Sequence, residues 1–162
     1  MTLFERNASV LPLELLRQLE DAGEPAAPLE IIETEEGAPT ARYGGRFLHP
    51  QRGPRSRPAR VFTAERVTAG PVVVFFGFGL GYEVEAFLSR PEAEAAIVVE
   101  PDAGLFRAAL GIRDLTGVLA SPKTTLLVEA DPEELAMVLR RWERRRPERS
   151  VLNAAAQYHR EY

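Results

Sequence analysis

Cysteine is absent from the 162 residues, which excludes disulfide staples, zinc–thiolate centres, iron–sulfur clusters and thiol nucleophiles. Histidine is scarce: His49 and His159 leave little for a histidine metal site or a serine-hydrolase dyad. The one lysine, Lys123, lies in a Ser-Pro-Lys-Thr turn before an expected strand, a poor setting for a Schiff-base or phosphate-loop lysine, and the G-x-x-x-x-G-K-[ST] pattern is missing. Long hydrophobic runs are missing too. The longest, Val72 to Phe76 with its glycine-rich extension, is too short to cross a bilayer, and Glu5, Arg6 and Asn7 stand where a secretory signal needs apolar residues. These absences set the expectation of a soluble cytoplasmic protein with no membrane partner, and they remove much catalytic chemistry.

What is present suits one domain or slightly more: 45% of the residues are hydrophobic and 27% charged, with a net charge of −4. The charge is segregated, with −7 over residues 1–36, +6 over 37–66, −7 over 67–139 and +4 over 140–162. The basic blocks lack interleaved aromatics that would stack on bases, and the chain as a whole is acidic, so nucleic acid is not the expected partner. Arg140 to Arg149 reads as a solvated helix end with cations near the negative helix pole. In an alternative reading, that segment or the loop Arg52 to Arg60 engages an acidic partner, with steep salt dependence.

Leu11, Leu15, Leu16 and Leu19 form a helical stripe, with Ser9 as the expected cap, Pro12 in the first turn and Gly23 past the end. Short β-type runs follow at Leu29 to Thr34, Pro39 to Tyr43 and Arg46 to His49, separated by Glu-Glu-Gly and Gly-Gly turns, which predicts an antiparallel meander. The proline- and arginine-rich stretch from Pro50 to Pro58 is expected to be an exposed loop carrying His49 at its start, and Pro58 to Val67 looks helical. Residues 1–70 thus form an amino-terminal helix, meander and basic loop.

From Pro71 the pattern alternates strand and helix. Val72 to Phe76, Ala95 to Val99 and Thr124 to Val128 are continuous apolar runs, the signature of strands buried on both faces. Gly81 to Leu88, Ala103 to Leu110 and Pro132 to about Trp142 are helical, with a shorter helix near Asp114 to Leu119. Residues 71–162 therefore read as the βαβαβ half of a three-layer, Rossmann-like (methyltransferase-like) α/β fold with strand order 3-2-1. Val151 to Tyr162 reads as a further helix, leaving the edge of the first strand to the meander, to a second copy in a homo-oligomer, or to polypeptide beyond Tyr162. The last is expected, as for the excised start of a longer protein.

The most specific chemistry is Phe-Gly-Phe-Gly-Leu-Gly-Tyr between the first strand of this half and its helix. Gly77, Gly79 and Gly81 allow close approach to a ligand and left-handed backbone angles, with free helix N–H groups facing the ligand. In a dinucleotide fingerprint the third glycine would fall on Tyr82, so the spacing fails the NAD pattern and resembles the first motif of S-adenosylmethionine-dependent methyltransferases. Glu100, 23 residues after Gly77, is placed to accept both ribose hydroxyls, Asp131 to read a base, and Phe78 or Tyr82 to pack on the ligand. The alternative is structural: Gly79 permits helix–strand packing, Glu100 caps the helix starting near Asp102, and Tyr82 is core packing.

With an opening Phe-x-x-Asn (Phe4 to Asn7), Gly-Phe-Gly-Leu-Gly-Tyr, Val-Val-Glu-Pro-Asp, Leu105 to Leu110, Asp114-Leu115 and a terminal Glu-Ala-Asp, nearly the whole chain resembles the amino-terminal domain of the Maf (motility accessory factor) proteins. The resemblance implies a glycosyltransferase-type protein that attaches nonulosonic acids to flagellin, with a central domain related to MptE-type 6-hydroxymethylpterin diphosphokinases. It implies that sugar transfer belongs to that following domain, which with flagellin would be the partner. The chain departs from the family's Leu-His-Ser-x-Tyr-x-Pro-x-x-Glu-Ala stretch: Pro50, Arg52 and Arg57 replace serine, tyrosine and glutamate, and only Pro54 is kept. The leading expectation is an accessory Rossmann-like domain without catalytic residues or metal, serving as a nucleotide site or an interdomain scaffold. The alternatives are an S-adenosylmethionine-dependent methyltransferase-like domain and a protein-interaction module.

Overall fold

A computed structural model describes residues 1–58, 72–145 and the strand 151–155. The expected helix from Pro58 to Val67 and the division near residue 70 lie outside these residues, as do 146–149 of the arginine-rich segment and 156–162 of the last expected helix.

The amino-terminal helix is two helices. Helix α1 (Leu3–Ala8) is closed by a capping box in which the Thr2 hydroxyl accepts from the Glu5 N–H while the Glu5 carboxylate accepts from the Thr2 N–H. Ser9, expected to cap a helix start, instead ends α1. Pro12, which has no N–H to donate, stands just before α2 (Leu13–Asp21) and separates the two. The predicted leucine stripe holds: Leu11 and Leu19 are buried, and Leu15 and Leu16 pack against the same core. The meander follows as β1 (Leu29–Ile32), β2 (Thr40–Tyr43) and β3 (Arg46–Phe47), an antiparallel sheet in that order.

The second sheet is parallel: β4 (Val72–Phe76), β5 (Ala95–Glu100), β6 (Thr124–Val128) and β7 (Val151–Ala155) lie in the order β6-β5-β4-β7. The crossovers carry α3 (Tyr82–Leu88), α4 (Ala103–Ala109), α5 (Thr116–Leu119) and α6 (Pro132–Arg145). Residues 151–155, expected to be helical, form a fourth strand that pairs Val72 with Val151 through Phe76 with Ala155. Val-Leu-Asn-Ala-Ala has an alanine-rich helical bias, but helix propensity is a weak preference that the hydrogen-bonding demand of an open sheet edge overrides.

Alternate residues of each strand feed separate cores. Val73, Phe75, Ala96, Val98 and Val128 face a large core built with α1 to α5 and the meander, whereas Val72, Val74, Ala95, Ile97 and Leu127 face Leu135, Val138, Leu139 and Trp142 of α6. Each fully buried large side chain, such as Leu19, Phe87 or Phe106, contributes about 1.5–3 kcal/mol. Among the described residues no helix is long and apolar enough to cross a membrane.

Two polar anchors fasten the amino-terminal segments to the sheet. The buried Asn7 amide donates from Nδ2 to the carbonyls of Leu110 and Arg113, each at 2.8 Å, and its Oδ1 accepts from the Leu115 N–H at 2.8 Å. Asp102 caps α4 by accepting the Leu105 N–H through Oδ1, while Oδ2 accepts from the Ala26 N–H at 2.8 Å and the Tyr43 hydroxyl at 2.6 Å. Beside it, Gly104 lets the linker backbone cross the helix: a Cβ there would lie 2.6 Å from the Glu24 carbonyl oxygen. Asn7→Leu strands three buried backbone groups and is expected to lower the unfolding free energy by about 3 kcal/mol. Urea titration measures this, and a loss below about 1 kcal/mol would contradict the anchor.

Candidate functional site

The glycine turn leaves β4 at the carboxyl end of the parallel sheet. The ladder runs one bond further, from the Gly77 N–H to the Val99 carbonyl at 2.7 Å, and then Gly77, Gly79 and Gly81 all take positive φ. Gly81, at φ 75, caps α3, and a Cβ on it would lie 2.8 Å from Phe78 Cζ and 2.9 Å from Leu115 Cδ2. Glycine is required at this position by both backbone angle and space.

Several polar groups of the turn are bonded within the protein. The Phe78 N–H donates to Glu100 Oε2 at 2.8 Å, and the Leu80 N–H donates to His49 Nε2 at 2.8 Å. The Leu80 carbonyl accepts from Arg113 Nη1 at 3.2 Å. Phe78, Leu80 and Tyr82 are all buried, and the Tyr82 hydroxyl donates to the Pro39 carbonyl at 2.8 Å. The Tyr82 ring is held between the edge of His49, centroids 4.9 Å apart, and the Arg113 guanidinium 4.1 Å above its face.

Glu100 follows Ala96 and Val98 on the strand face that looks into the large core, so its carboxylate lies beneath the turn with no exposed surface. Its Oε1 accepts the Asp102 N–H at 3.1 Å, and the helix cap expected of Glu100 belongs to Asp102. Asp131 is exposed and caps α6 by accepting the Glu134 N–H at 2.8 Å. The structure therefore gathers Gly77, Phe78, Gly79, Gly81, Tyr82 and Glu100 around one turn, while Asp131 sits at the start of α6.

His49, expected on the loop surface, is buried. An imidazole nitrogen that accepts an N–H carries a lone pair, so the bond from Leu80 places the ring proton on Nδ1, which faces the Glu83 carboxylate at 3.1 Å. The pull inward is this backbone N–H, which has no other partner at a turn of three glycines. Arg113, with Nη2 on Glu85 at 2.6 Å, is the other residue that sequence reasoning did not single out. A lone arginine after a helix gives no signal of the carbonyl it reaches. Among the described residues no group of three or more His, Cys, Asp or Glu side chains is arranged to hold a metal ion.

Fold and site together define an α/β domain with an internally closed glycine turn at the carboxyl end of its parallel sheet. The model of the family described as "Glycosyltransferase Maf N-terminal domain" matches residues 56–154, and the chain belongs to that family. An uncharacterized protein of Treponema pallidum (strain Nichols) is 28% identical over 113 residues, covering 68% of this chain and 39% of that protein. The solved structure of MAf glycosyltransferase from Magnetospirillum magneticum AMB-1 superposes with a TM-score of 0.63 at 19% identity, covering 95% of this chain and 32% of that one. The chain thus spans well under half the length of either protein.

Gly81→Ala is expected to cost about 2–4 kcal/mol, from left-handed strain plus the clash with Phe78 and Leu115. A thermal shift no larger than that of Gly117→Ala, where a Cβ meets nothing within 4 Å, would contradict the packing. Burial pushes the Tyr82 phenol above its ordinary value of 10.0, against the opposing pull of Arg113. The neutral phenol is thus favoured in the folded state: its contribution is fully present below pH 10.0 and is lost as pH rises past that value, where the unfolded chain ionises first. Tyr82→Phe should lower stability at neutral pH by about 1 kcal/mol through the bare Pro39 carbonyl, and should flatten the alkaline decline in denaturation midpoint. An unchanged slope above pH 10.0 would exclude Tyr82 as its source.

Proposed function

We propose that this chain is the amino-terminal accessory domain of a Maf-type flagellin glycosyltransferase, and that its Rossmann-like half serves as an interdomain scaffold. The observation that carries this reading is the internal closure of the glycine turn. The Phe78 and Leu80 N–H groups, which would face a phosphate or a carboxylate in a nucleotide site, are bonded to Glu100 and His49. A ribose at Glu100 would have to displace two backbone donors from a carboxylate with no exposed surface, leaving buried N–H groups unpaired at about 1–3 kcal/mol each.

In this reading the domain is cytoplasmic and supplies no catalytic residue or cofactor of its own. The transferase chemistry belongs to the domain that follows in the parent protein, and flagellin is the acceptor met by the whole assembly. Support comes from the family membership and from the fold shared with a solved Maf glycosyltransferase. The competing reading assigns Gly77, Phe78, Gly79, Gly81, Tyr82, Glu100 and Asp131 to S-adenosylmethionine or a nucleotide. Its support is the run of three glycines at positive φ where open α/β sheets accept ligands.

Calorimetric titration with S-adenosylmethionine, S-adenosylhomocysteine and CMP separates the two. The scaffold reading expects no heat of binding for any of them. Micromolar binding that disappears in Glu100→Gln, with the variant still folded by circular dichroism, would establish the ligand reading in its place.

A further inference from the structure

We propose that the loop carrying Arg52, Arg55 and Arg57 is the docking surface of this domain, and that its partner is an acidic polypeptide segment. The inference rests on the scaffold reading and names the part of the scaffold that meets a partner.

The sequence from Arg42 to Pro58 contains five arginines and no carboxylate. Two of the five are engaged: Arg42 pairs with Glu30 at 3.2 Å, and Arg46 also has an interaction within the chain. Arg52, Arg55 and Arg57 are exposed, and among the described residues none of them is in an ion pair. The proline, glycine and arginine content predicts an exposed loop throughout, but its backbone is pinned. Gly53, Pro54 and Pro58 are buried, the Gly53 N–H donates to Glu36 Oε1 at 3.0 Å, and the Arg57 N–H donates to the Gly53 carbonyl at 3.0 Å. Glu36 meets the loop through that backbone N–H and forms no ion pair with its arginines among the described residues. A fixed backbone removes the loop-ordering part of the cost of binding and leaves only the arginine side chains to be ordered, which separates a docking surface from a merely solvated charged loop.

The place also fits. His49, three residues before Arg52, accepts the Leu80 N–H at 2.8 Å, which sets the start of the loop beside the glycine turn at the carboxyl end of the parallel strands. A polypeptide carboxylate matches the guanidinium fork in two parallel hydrogen bonds. Nucleic acid fits less well, because Phe47, five residues before Arg52, is already covered by the Arg42 guanidinium at 4.8 Å from its centroid.

The test uses fluorescently labelled poly-L-glutamate and a labelled oligothymidylate of equal charge, titrated with the chain and read by anisotropy. Poly-L-glutamate is expected to bind, with affinity falling about tenfold between about 50 and about 200 mM salt. The triple variant Arg52→Ser, Arg55→Ser, Arg57→Ser should weaken it by at least about tenfold with an unchanged melting temperature, and the triple arginine-to-lysine variant should restore part of the loss. Equal binding by the serine variant, no binding by the wild-type chain, or tighter binding of the oligothymidylate would each overturn the proposal. Silent calorimetry with an unaffected serine variant would leave the scaffold reading standing without this surface. A calorimetric signal for S-adenosylmethionine, S-adenosylhomocysteine or CMP would overturn the scaffold reading whatever the loop binds.

Discussion

A carboxylate with no exposed surface is costly unless its oxygens are matched, and Glu100 is matched by two backbone N–H groups from different parts of the chain. One belongs to Phe78 in the glycine turn after β4, the other to Asp102 at the start of α4. Much of the rest hangs on that bridge. It fixes the turn against the neighbouring strand, and it orients Asp102, whose own carboxylate reaches Ala26 in the linker and Tyr43 in the meander. A charge-assisted chain of hydrogen bonds thus runs from the turn through the strand end to the amino-terminal sheet.

The glycine turn receives its second and third supports from two other segments of the chain. His49 comes from the end of the meander, Arg113 from the segment after α4, and both close on Leu80 while packing against Tyr82. Each removes one polar group of the turn from solvent. The Phe78 and Leu80 N–H groups, buried and filled from within the chain, hold the turn in one conformation.

The elements that could be read in the sequence are those whose signal is local. Continuous hydrophobic runs point to β4, β5 and β6, the Gly-Gly pair to the turn between β2 and β3, and the leucine spacing to the stripe that α2 turns toward the core. The same reading missed β7, because a short alanine-containing run becomes a strand only when a free edge lies beside it. It placed His49 on the surface because proline, glycine and arginine around it describe a loop, while the reason for its burial is an N–H more than 30 residues away. Glu100 was singled out by its distance from Gly77, and that spacing is shared by a ribose-binding acid and by a carboxylate that ties the turn to the strand. What separates them is the direction of the side chain under the turn, which strand parity reveals only once the register of β5 is known.

Asn7 carries a different kind of consequence. Its three bonds join the first helix to residues 110–115, more than 100 positions later in the chain. During synthesis the chain grows from the amino terminus, so the side chain that seals this junction leaves the ribosome long before any of its partners. Helix α1 is far too short to persist alone in water. The junction is therefore a late-closing latch: Asn7 can fasten it only after residues 110–115 have been made.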